Sequence, residues 1–379
     1  MLPTGPFHSN RVDDLHSEMQ FSTVRLSDMP REQWDGLYGQ SKRASVFYAW
    51  EFLESAARTM GRLQDLRIVT GDLGGSPVLA QPVFVTREDG KTVVRFFKAL
   101  SADGVAPVGL ENATPGMLRL LVRYLVSSFA ADNIIVEAAS EDFYARLKAS
   151  LAANAVNVER TKKGTQIPLP ESMEAYWSSL KSSRRNEMKR KVRKGGEAGL
   201  SFRVISSREC TDPAELCAAF TRLTELHKKR FDSLGRESFF VQDNVQALHQ
   251  KAIELNQDAL VFDFVECVVD SKVVGSVYSV AGKDEYVCMM TGFDPDFESL
   301  SVGALTILSS VERAISLGLR HLDLKVGAEP YKNRWSKEKY LVYDLRLSPE
   351  RGLIRNLLSR VGKMRRRAKS MPMMGKVAL

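Results

Sequence analysis

The sequence predicts a mixed α/β fold made of two similar halves. Short apolar segments bounded by Gly, Asp and Pro alternate with segments of helical periodicity, and the same order of strands and helices occurs twice. A length of 379 residues is sufficient for two hydrophobic cores. The apolar runs are too short to span a membrane, and the N-terminus lacks the basic start and apolar core of a signal peptide. We therefore expect a cytoplasmic protein.

The first half is predicted to start at Phe21, after a polar and aperiodic arm of residues 1–20. A strand and two helices come first, then three strands, and then a helix, a strand and a helix. The predicted ranges are, in order, 21–26, 31–40, 47–60, 66–69, 78–85, 93–98, 118–131, 134–137 and 142–154.

The second half repeats this order, with a strand over 200–205, helices over 214–230 and 241–255, and three strands within 260–293. It ends in a strand–helix–strand unit, for which we predict a buried strand over Tyr286–Phe293, an amphipathic helix over Ser301–Leu317 and a strand over Leu322–Val326. A charged loop follows this unit and has no counterpart in the first half. We therefore expect the first half to be a platform that has lost the chemistry, with Gly109 and Gly116 as turn glycines.

The start of the predicted helix has the features of an anion site. Ser301 is a candidate N-cap, and Val302, Gly303 and Ala304 follow it with small or compact side chains. Free amides and the helix dipole favour a phosphate at such a position. Alternatively, Gly303 and Ala304 only allow the helix to pack closely against the sheet, because one glycine at a helix start is a weak motif.

This region resembles a known group of enzymes. The motif residues are Gly292-Phe293-Asp294-Pro295, Leu300-Ser301-Val302-Gly303-Ala304-Leu305, Gly318, Asp323-Leu324, Gly327 and Tyr331-Lys332-Asn333-Arg334-Trp335. They are similar to those of the cellulose-biosynthesis (CelD/BcsL-like) acetyltransferases of the GNAT superfamily, relatives of the FemAB-like aminoacyl transferases. The resemblance covers roughly Phe21 to Leu347. It implies tandem GNAT-like domains, each a mixed, mostly antiparallel sheet flanked by helices, with a degenerate domain over 21–170 and a catalytic domain over 171–350.

The resemblance also implies a reaction and a co-substrate. It implies direct transfer from acetyl-CoA or another acyl-CoA to an amino or hydroxyl group of a glycan or cell-envelope precursor, as in exopolysaccharide biosynthesis. The pyrophosphate would lie at Ser301–Ala304, and the pantetheine arm beside Met290 and Thr291. The usual GNAT phosphate loop has an Arg or Gln, whereas Leu300, Val302 and Leu305 occupy the surrounding positions here. FemAB-like transfer from aminoacyl-tRNA is therefore the alternative.

Acyl transfer from a thioester requires a base, donors for the oxyanion and an acid for the leaving thiolate. Tyr331 is the candidate acid, and Asp323, Glu329 and His227 are the candidate bases. Each residue also has a purely structural interpretation. Tyr331 would be a packing tyrosine, Asp323 a paired buried carboxylate, Glu329 an exposed loop residue and His227 a histidine near a helix end. We expect Asp323 to need a partner such as Lys332, Arg334 or His227, and Lys332 to neutralise a phosphate or carboxylate.

The positive charge is concentrated in two segments. The net charge is +8, but Lys181–Lys194 holds eight basic residues and one acid, and the tail 351–379 holds nine basic residues and no acid. We predict one helix over 171–196, ended by Gly195-Gly196, whose basic face attracts CoA phosphates, a nucleotide-linked substrate or tRNA, or is only solvated. With the resemblance, the candidate substrate contacts are Arg185, Asn186, Arg230, Asp294 and Trp335.

The tail is predicted to form a basic amphipathic segment. It would lie on an anionic membrane at the inner face, or serve only as a solubilising extension. A catalytically silent scaffold at the membrane surface is therefore a third hypothesis. The four cysteines show no C-x-x-C spacing, so we expect buried, reduced thiols and neither a metal site nor a disulfide.

Overall fold

The computed structural model describes residues 19–348, apart from 62–64, 100–101, 153–154, 211, 239, 241 and 258. Residues 1–18 of the predicted arm and the whole predicted tail lie outside this part of the chain. Residues 19 and 20, assigned to the arm from sequence, already belong to the first strand.

The first half, residues 19–168, contains ten regular elements. They are β1 Met19–Arg25, α1 Arg31–Gln40, α2 Trp50–Thr59, β2 Leu66–Leu73, β3 Ser76–Glu88, β4 Lys91–Phe96, α3 Pro115–Phe129, β5 Asn133–Ser140, α4 Glu141–Ser150 and β6 Val156–Pro168. The predicted elements of this half are confirmed except that β6 had no prediction. Its polar sequence VNVERTKKGTQIP has no apolar face to signal a strand.

The second half, residues 201–347, repeats the same order of elements. They are β7 Ser201–Ser206, α7 Pro213–Ser233, α8 Asp243–Glu254, β8 Val261–Val269, β9 Lys272–Gly282, β10 Glu285–Phe293, α9 Val302–Ser316, β11 His321–Val326, α10 Lys332–Trp335 and β12 Lys339–Leu347. Two helices, α5 Met173–Ser179 and α6 Ser182–Glu197, join the halves. The internal duplication expected from the sequence is thus present in the order of elements.

The predicted single helix over 171–196 is wrong, because the chain breaks at Leu180 into α5 and α6. Ser178 and Ser179 donate their hydroxyls to backbone carbonyls within α5, a competition that disfavours helix continuation. The predicted stop at Gly195-Gly196 is also wrong. Helix α6 runs through both glycines and ends before Gly199, which has a φ of 76°.

The described strands form one twelve-stranded sheet in the order β1-β2-β3-β4-β5-β12-β6-β11-β10-β9-β8-β7. Neighbouring strands are antiparallel except for β4 with β5 and β10 with β11. A mixed, mostly antiparallel sheet flanked by helices confirms the predicted fold class. The order also shows an exchange, because β12 of the second half pairs with β5, and β6 of the first half pairs with β11.

The core is continuous between the halves. Phe52 of α2 lies against Phe262 of β8 and His249 of α8, with ring centroids 6.0 and 5.8 Å apart. A second cluster lies under α5 and α6, where Tyr176 and Met188 pack with residues of β10, β11 and α9. The second half is therefore held against the first by apolar packing as well as by the exchanged strands.

Candidate active site

The strands β10 and β11 separate toward their carboxyl ends. Parallel pairing joins only Glu285–Val287 to His321–Asp323, although both strands continue. Each strand has a β-bulge just beyond the last pair, at Met289 in β10 and around Lys325 in β11, where φ is 65°. Bulges of this kind leave backbone groups unpaired beside active sites. We call this opening the β10–β11 gap.

Helix α9 begins beyond the carboxyl end of β10, after a 3-10 turn over Pro295–Leu300. Ser301 occupies the N-cap position as predicted, but it has a φ of 61° and its side chain makes no capping hydrogen bond. Its carbonyl accepts from the amides of Ala304 and Leu305 at 3.0 and 3.1 Å. The first amides of the helix therefore keep no intrahelical acceptor, and the helix dipole adds positive potential there.

The residues at this helix start offer backbone rather than side chains. Val302 is fully buried and packs over Gly275 of β9. A Cβ on Gly303 would lie 2.9 Å from the ring of Phe293, so the glycine is needed for the close approach of helix and strand. Ala304 is partly buried.

Arg230 stands beside this helix start, in the last turn of α7. Its guanidinium lies over the Phe293 ring, 4.1 Å from the centroid, and a Cβ on Gly303 would lie 3.8 Å from its Nη1. Burial lowers the pKa of this half-buried group, but an arginine remains charged. Within the described part of the chain, the guanidinium has no hydrogen-bond or ion-pair partner. It is therefore a cation available to an anion at the start of α9.

The loop after β11 lines the other side of the gap. Lys332 is only 4% exposed, and its ammonium donates to the carbonyls of Lys325 and Val326 at 3.3 and 3.1 Å and pairs with Glu329 at 3.0 Å. Lys332 therefore satisfies the free carbonyls of the β11 edge. Glu329 is exposed and has this lysine as its partner.

Tyr331 is partly buried in the same loop. Burial raises the pKa of its phenol, as do the neighbouring Cys288 and Glu329, while Arg230 acts in the opposite direction. The hydroxyl has no hydrogen-bond partner among the residues that the structure describes. Tyr331 thus lies near both Cys288 of β10 and Arg230, and it is protonated at neutral pH.

Asp323 occupies the apex of the gap, where β11 makes its last pair with β10. Its Oδ1 accepts from the Lys325 amide at 2.7 Å, and the Tyr340 hydroxyl lies 3.0 and 2.9 Å from its two oxygens. Burial and the nearby Glu285 raise the pKa of Asp323 from 3.8 to about 7, against the opposing hydrogen bonds. The partners predicted from sequence, Lys332, Arg334 and His227, are wrong.

His227 is buried in α7 with both ring nitrogens engaged. Nδ1 lies 2.6 Å from the carbonyl oxygen of Thr291 and Nε2 lies 2.5 Å from Ser238 Oγ. The carbonyl can only accept, so Nδ1 carries the proton and Nε2 accepts from the serine. Burial lowers the pKa of His227, which favours this neutral form. The histidine holds the carbonyl of Thr291 in β10 and has no free nitrogen for an acceptor's proton.

The other predicted contacts are spread more widely. Asp294 is buried and bonded to Lys229, to Lys272 at 3.0 Å and to the Asp296 amide; burial would raise its pKa, but these partners lower it to about 2. That carboxylate therefore joins α7 to the start of β9. The Met290 side chain is buried in the core, so only its backbone borders the gap.

Three further candidates lie on α6 and at the end of α10. Trp335 is buried under α6, where the Arg184 guanidinium lies 5.3 Å from its ring centroid. Arg185 donates to the carbonyl of Trp177 at 3.4 Å, and Asn186 is exposed. The structure therefore groups Arg230, Tyr331, Lys332 and Asp323 around the gap, together with the helix start. Trp335 belongs to the apolar cluster against which Tyr331 packs, and Arg185 and Asn186 lie on α6.

The equivalent opening in the first half is filled by the chain itself. Beyond the short β4–β5 pairing, Val105 bridges Ala139 of β5, and Val108 bridges Ala80 of β3. The start of α3 is also closed, because Thr114 caps the Met117 amide at 3.2 Å and Pro115 contributes no amide. A Cβ on Gly109 would lie 2.2 Å from the Val78 carbonyl oxygen, as suits a turn glycine. In the described residues of this half, the opening beside β5 is therefore filled and the start of the corresponding helix is capped.

Sequence reasoning missed Tyr340, Gly164 and Asp103. Tyr340 and Gly164 lie on β12 and β6, the two strands without a prediction, and Asp103 comes from the other half, where its carboxylate accepts from the Val326 amide at 3.3 Å. No spacing in the sequence brings these residues together.

Among the described residues, no cluster of His, Cys, Asp or Glu is suited to hold a metal ion, and no helix is long and apolar enough to cross a membrane.

The four cysteines are free thiols, of which Cys267 and Cys288 are buried. Cys210 and Cys217 are partly exposed, so the expectation that all four are buried is wrong for these two. Cys210 precedes α7 and lies outside any regular element.

Comparison with known proteins gives a family for one part of the chain and a fold for most of it. Residues 182–333 match the family model described as an acetyltransferase (GNAT) domain. FemX has 9% identity and a TM-score of 0.61, over 89% of this chain and 99% of FemX. A conserved protein of unknown function from Bacteroides thetaiotaomicron has 13% identity and a TM-score of 0.58, over 84% and 98%.

A third structure of similar fold is the C-terminal domain of a protein provisionally assigned as a lysylphosphatidylglycerol synthetase from Agrobacterium fabrum. It has 11% identity and a TM-score of 0.51, over 87% of this chain and 95% of that domain. At such identities these likenesses show a shared fold. No match was found among curated proteins.

Proposed function

We propose that this chain, whose residues 182–333 match the GNAT acetyltransferase domain, transfers an acyl group from acyl-CoA directly to an amino or hydroxyl group of a glycan or cell-envelope precursor. The observation that carries the proposal is the β10–β11 gap, which leads to a helix start without a side-chain cap and to an arginine without a partner among the described residues. The glycan or envelope acceptor is proposed from the resemblance of the motif residues alone.

The helix start fits the pyrophosphate of a coenzyme A. Backbone amides at the start of α9 and the guanidinium of Arg230 converge beside Gly303, whose missing side chain leaves room for the Phe293 ring on which the guanidinium lies. The stretch Cys288–Phe293 of β10 spans roughly 16–20 Å of extended chain from the apex to this point. Its backbone, bulged at Met289, offers hydrogen bonds to an extended pantetheine arm.

The residues at the apex fit the proton transfers of acyl transfer. A bound acyl-CoA would supply the thioester carbonyl. Asp323 accepts the proton that the attacking amino or hydroxyl group loses, for which a pKa of about 7 is well matched. Tyr331 donates its phenolic proton to the leaving thiolate, and the Lys332 ammonium adds positive charge beside Cys288. Glu329 and His227 are less suited, since one is exposed and paired and the other has no free nitrogen.

Calorimetric titration with acetyl-CoA tests the donor site. We expect wild-type protein to bind and Arg230→Ala to bind at least tenfold more weakly, because one charge-assisted contact to phosphate is lost. Lys229→Ala is the matched control: it removes the neighbouring cation, which is already bonded to Asp294 and Asp296, and leaves the affinity unchanged. Equal affinities for wild type and Arg230→Ala would contradict the proposed site.

Transfer from aminoacyl-tRNA is a second candidate, favoured by the exposed basic face of α6. One side of this helix packs through Met188 and Gly195, while the exposed side carries Lys181, Lys189, Arg190 and Arg193. Arg193 is paired with Glu197 at 3.6 Å, and Arg184 and Lys191 are paired with Glu187, whose pKa they lower to about 2. The exposed residues form a surface for phosphate backbone.

Filter binding of aminoacyl-tRNA over a salt series distinguishes the two donors. Under the second candidate, retention falls with salt, and replacing Lys189 and Arg190 with Ala reduces the slope by about two. Under the proposed function, acetyl-CoA binds. The dependence of any residual tRNA retention on salt is then the same in wild type and in Arg230→Ala.

A further inference from the structure

Tyr340 lies beside the candidate base but belongs to a strand of the exchanged pair. β12 lies between β5 and β6, and its Tyr340 faces Gly164 of β6 across the pair. From there the phenol donates to the Asp323 carboxylate, 3.0 and 2.9 Å from the two oxygens. Asp323 itself lies on β11, the other neighbour of β6. The hydrogen bond therefore crosses the central strand of the sheet.

Gly164 makes this geometry possible. A Cβ on Gly164 would lie 2.1 Å from Cζ and 2.5 Å from the hydroxyl of Tyr340, an overlap that real side chains do not tolerate. The tyrosine ring thus lies directly over a glycine of β6. Each half contributes one member of the arrangement, Gly164 from the first and Tyr340 from the second.

The phenol meets a carboxyl group with several charged neighbours. Glu285 of β10 opposes ionisation of Asp323, while the Lys325 amide, the Tyr340 hydroxyl and the Lys325 ammonium favour it. Cys288 of β10 and Asp103 of the first half also lie in this electrostatic neighbourhood. Lys325 itself is near Asp103, with 3.9 Å between Nζ and Oδ2, and lies over the Phe47 ring. In this buried setting, a single hydrogen bond to the carboxylate has a large effect.

We propose that Tyr340 is a positioning residue that keeps the Asp323 carboxylate ionised and oriented at the apex of the β10–β11 gap, with Gly164 providing the space for its ring. The proposal rests on the proposed function, in which Asp323 accepts the proton of the attacking group. It adds a requirement on the exchanged strands: the base is competent only when β6 and β12 are both in place.

Carbon-13 NMR of protein labelled in its aspartate carboxyl groups tests the hydrogen bond without reference to activity. Asp323→Asn assigns the signal. We expect Tyr340→Phe to move the titration of Asp323 upward by about one pH unit or more, because a bond to the charged form is lost. Tyr343→Phe is the matched control on the same strand, since its ring packs at a tilt against Tyr144 and its hydroxyl makes no hydrogen bond to a described residue.

The same variants are then compared in the pH profile of kcat/KM. The acid limb of this profile reports ionisation of the base, so we expect it to move to higher pH together with the NMR titration. The kcat/KM of Tyr340→Phe should then be about fivefold or more below that of wild type at pH 7 and equal to it above pH 9. Gly164→Ala should show the same shift, because the added methyl displaces the ring. A purely structural role predicts lower activity at every pH with an unchanged limb.

The outcomes separate the two proposals. An unchanged Asp323 titration in Tyr340→Phe, in a variant whose far-UV circular dichroism is that of the wild type, overturns the role of Tyr340. A shifted titration without any shift in the kinetic limb overturns instead the role of Asp323 as base. If Gly164→Ala does not fold, Tyr340→Phe alone decides the matter, since it removes one oxygen and leaves the ring packing in place.

Discussion

The two halves carry the same β-bulge at the same place, with different residues in it. In β5 the bulge lies before Ala139 and gives Ala138 a φ of 53°, and in β11 it gives Lys325 a φ of 65°. The residue two positions earlier is Val136 in the first half and Asp323 in the second. The amide of Ala138 is bonded by Asp344 of β12, whereas the amide of Lys325 is bonded by Asp323 of its own strand. One backbone feature thus supports packing in one copy and a buried carboxylate in the other.

The openings beside these bulges differ as well. In the first half Val105 and Val108 occupy the sheet beyond β4, and Thr114 caps the following helix. In the second half the gap stays open to the uncapped start of α9. The fold alone therefore does not provide a site. The two copies differ in the segment that holds Val105 and Val108, in the Thr114 cap and in the Asp323 carboxylate.

The largest effect is expected from Asp323→Asn. It removes the proton acceptor and should lower kcat by roughly 10²–10⁴-fold, the usual contribution of a general base. Asp344→Asn, which alters the corresponding amide bond in the first half, should change kcat less than threefold. Steady-state kinetics with acetyl-CoA and an accepting amine or alcohol provides the measurement, and equal losses in the two variants would remove the distinction between the halves.

Opposite pH dependences of stability are the next largest expected effect. The raised pKa of Asp323 means that the folded protein holds a proton that the unfolded chain releases, so this contribution is full below about pH 4 and is lost as the pH rises through 7. Asp344 has a lowered pKa, because Lys162 and the Ala138 amide outweigh its burial, so its contribution is present above about pH 4 and lost on acidification.

Chemical denaturation at pH 5 and pH 8 measures the loss for Asp323, and Asp344, which is ionised at both values, serves as the control. Relative to wild type, Asp323→Asn should be more stable at pH 8 than at pH 5 by up to about 2.7 kcal/mol, because about two pH units separate pH 5 from the pKa of about 7. Asp344→Asn should show no such gain and be less stable than wild type at pH 8. If the unfolding free energies of Asp323→Asn and wild type differed by the same amount at pH 5 and pH 8, the raised pKa would be contradicted.

The smallest effect concerns the two helix starts. Thr114→Ala removes a side-chain cap and should cost about 1 kcal/mol of unfolding free energy. Ser301→Ala removes a hydroxyl that makes no capping bond and should cost less than about 0.5 kcal/mol. Thermal unfolding of the two variants measures the difference, and equal losses would show that Ser301 does cap α9.

The strand–helix–strand unit of the second half was predictable because its periodicity and turn residues are local signals. Tyr331, Lys332 and Asp323 were found for the same reason, since Asp323 lies on one predicted strand and the other two follow it in sequence. The hydrogen bonds of Asp323 were not predictable: Tyr340 comes from a strand whose pairing is non-local, and Gly164 signals a turn as readily as a close approach. The polar strand β6 shows the general limit, because neighbours rather than its own pattern place it in the sheet.

The same limit applies to His227 and Asp294. The sequence suggested His227 as a base and Asp294 as a substrate contact. Only the structure shows that Thr291 and Ser238 occupy the histidine nitrogens and that two lysines bind the carboxylate.

Calorimetric titration of acetyl-CoA into Gly303→Phe and Gly116→Phe tests most directly whether the donor site belongs to the second half alone. Both glycines are the second residue of their helix, α9 and α3. We expect Gly116→Phe to bind like wild type and Gly303→Phe not to bind, with unfolding temperatures reported for both. Arg230→Ala serves if Gly303→Phe fails to fold. Wild-type affinity in Gly303→Phe, or loss of binding in Gly116→Phe, would contradict the account.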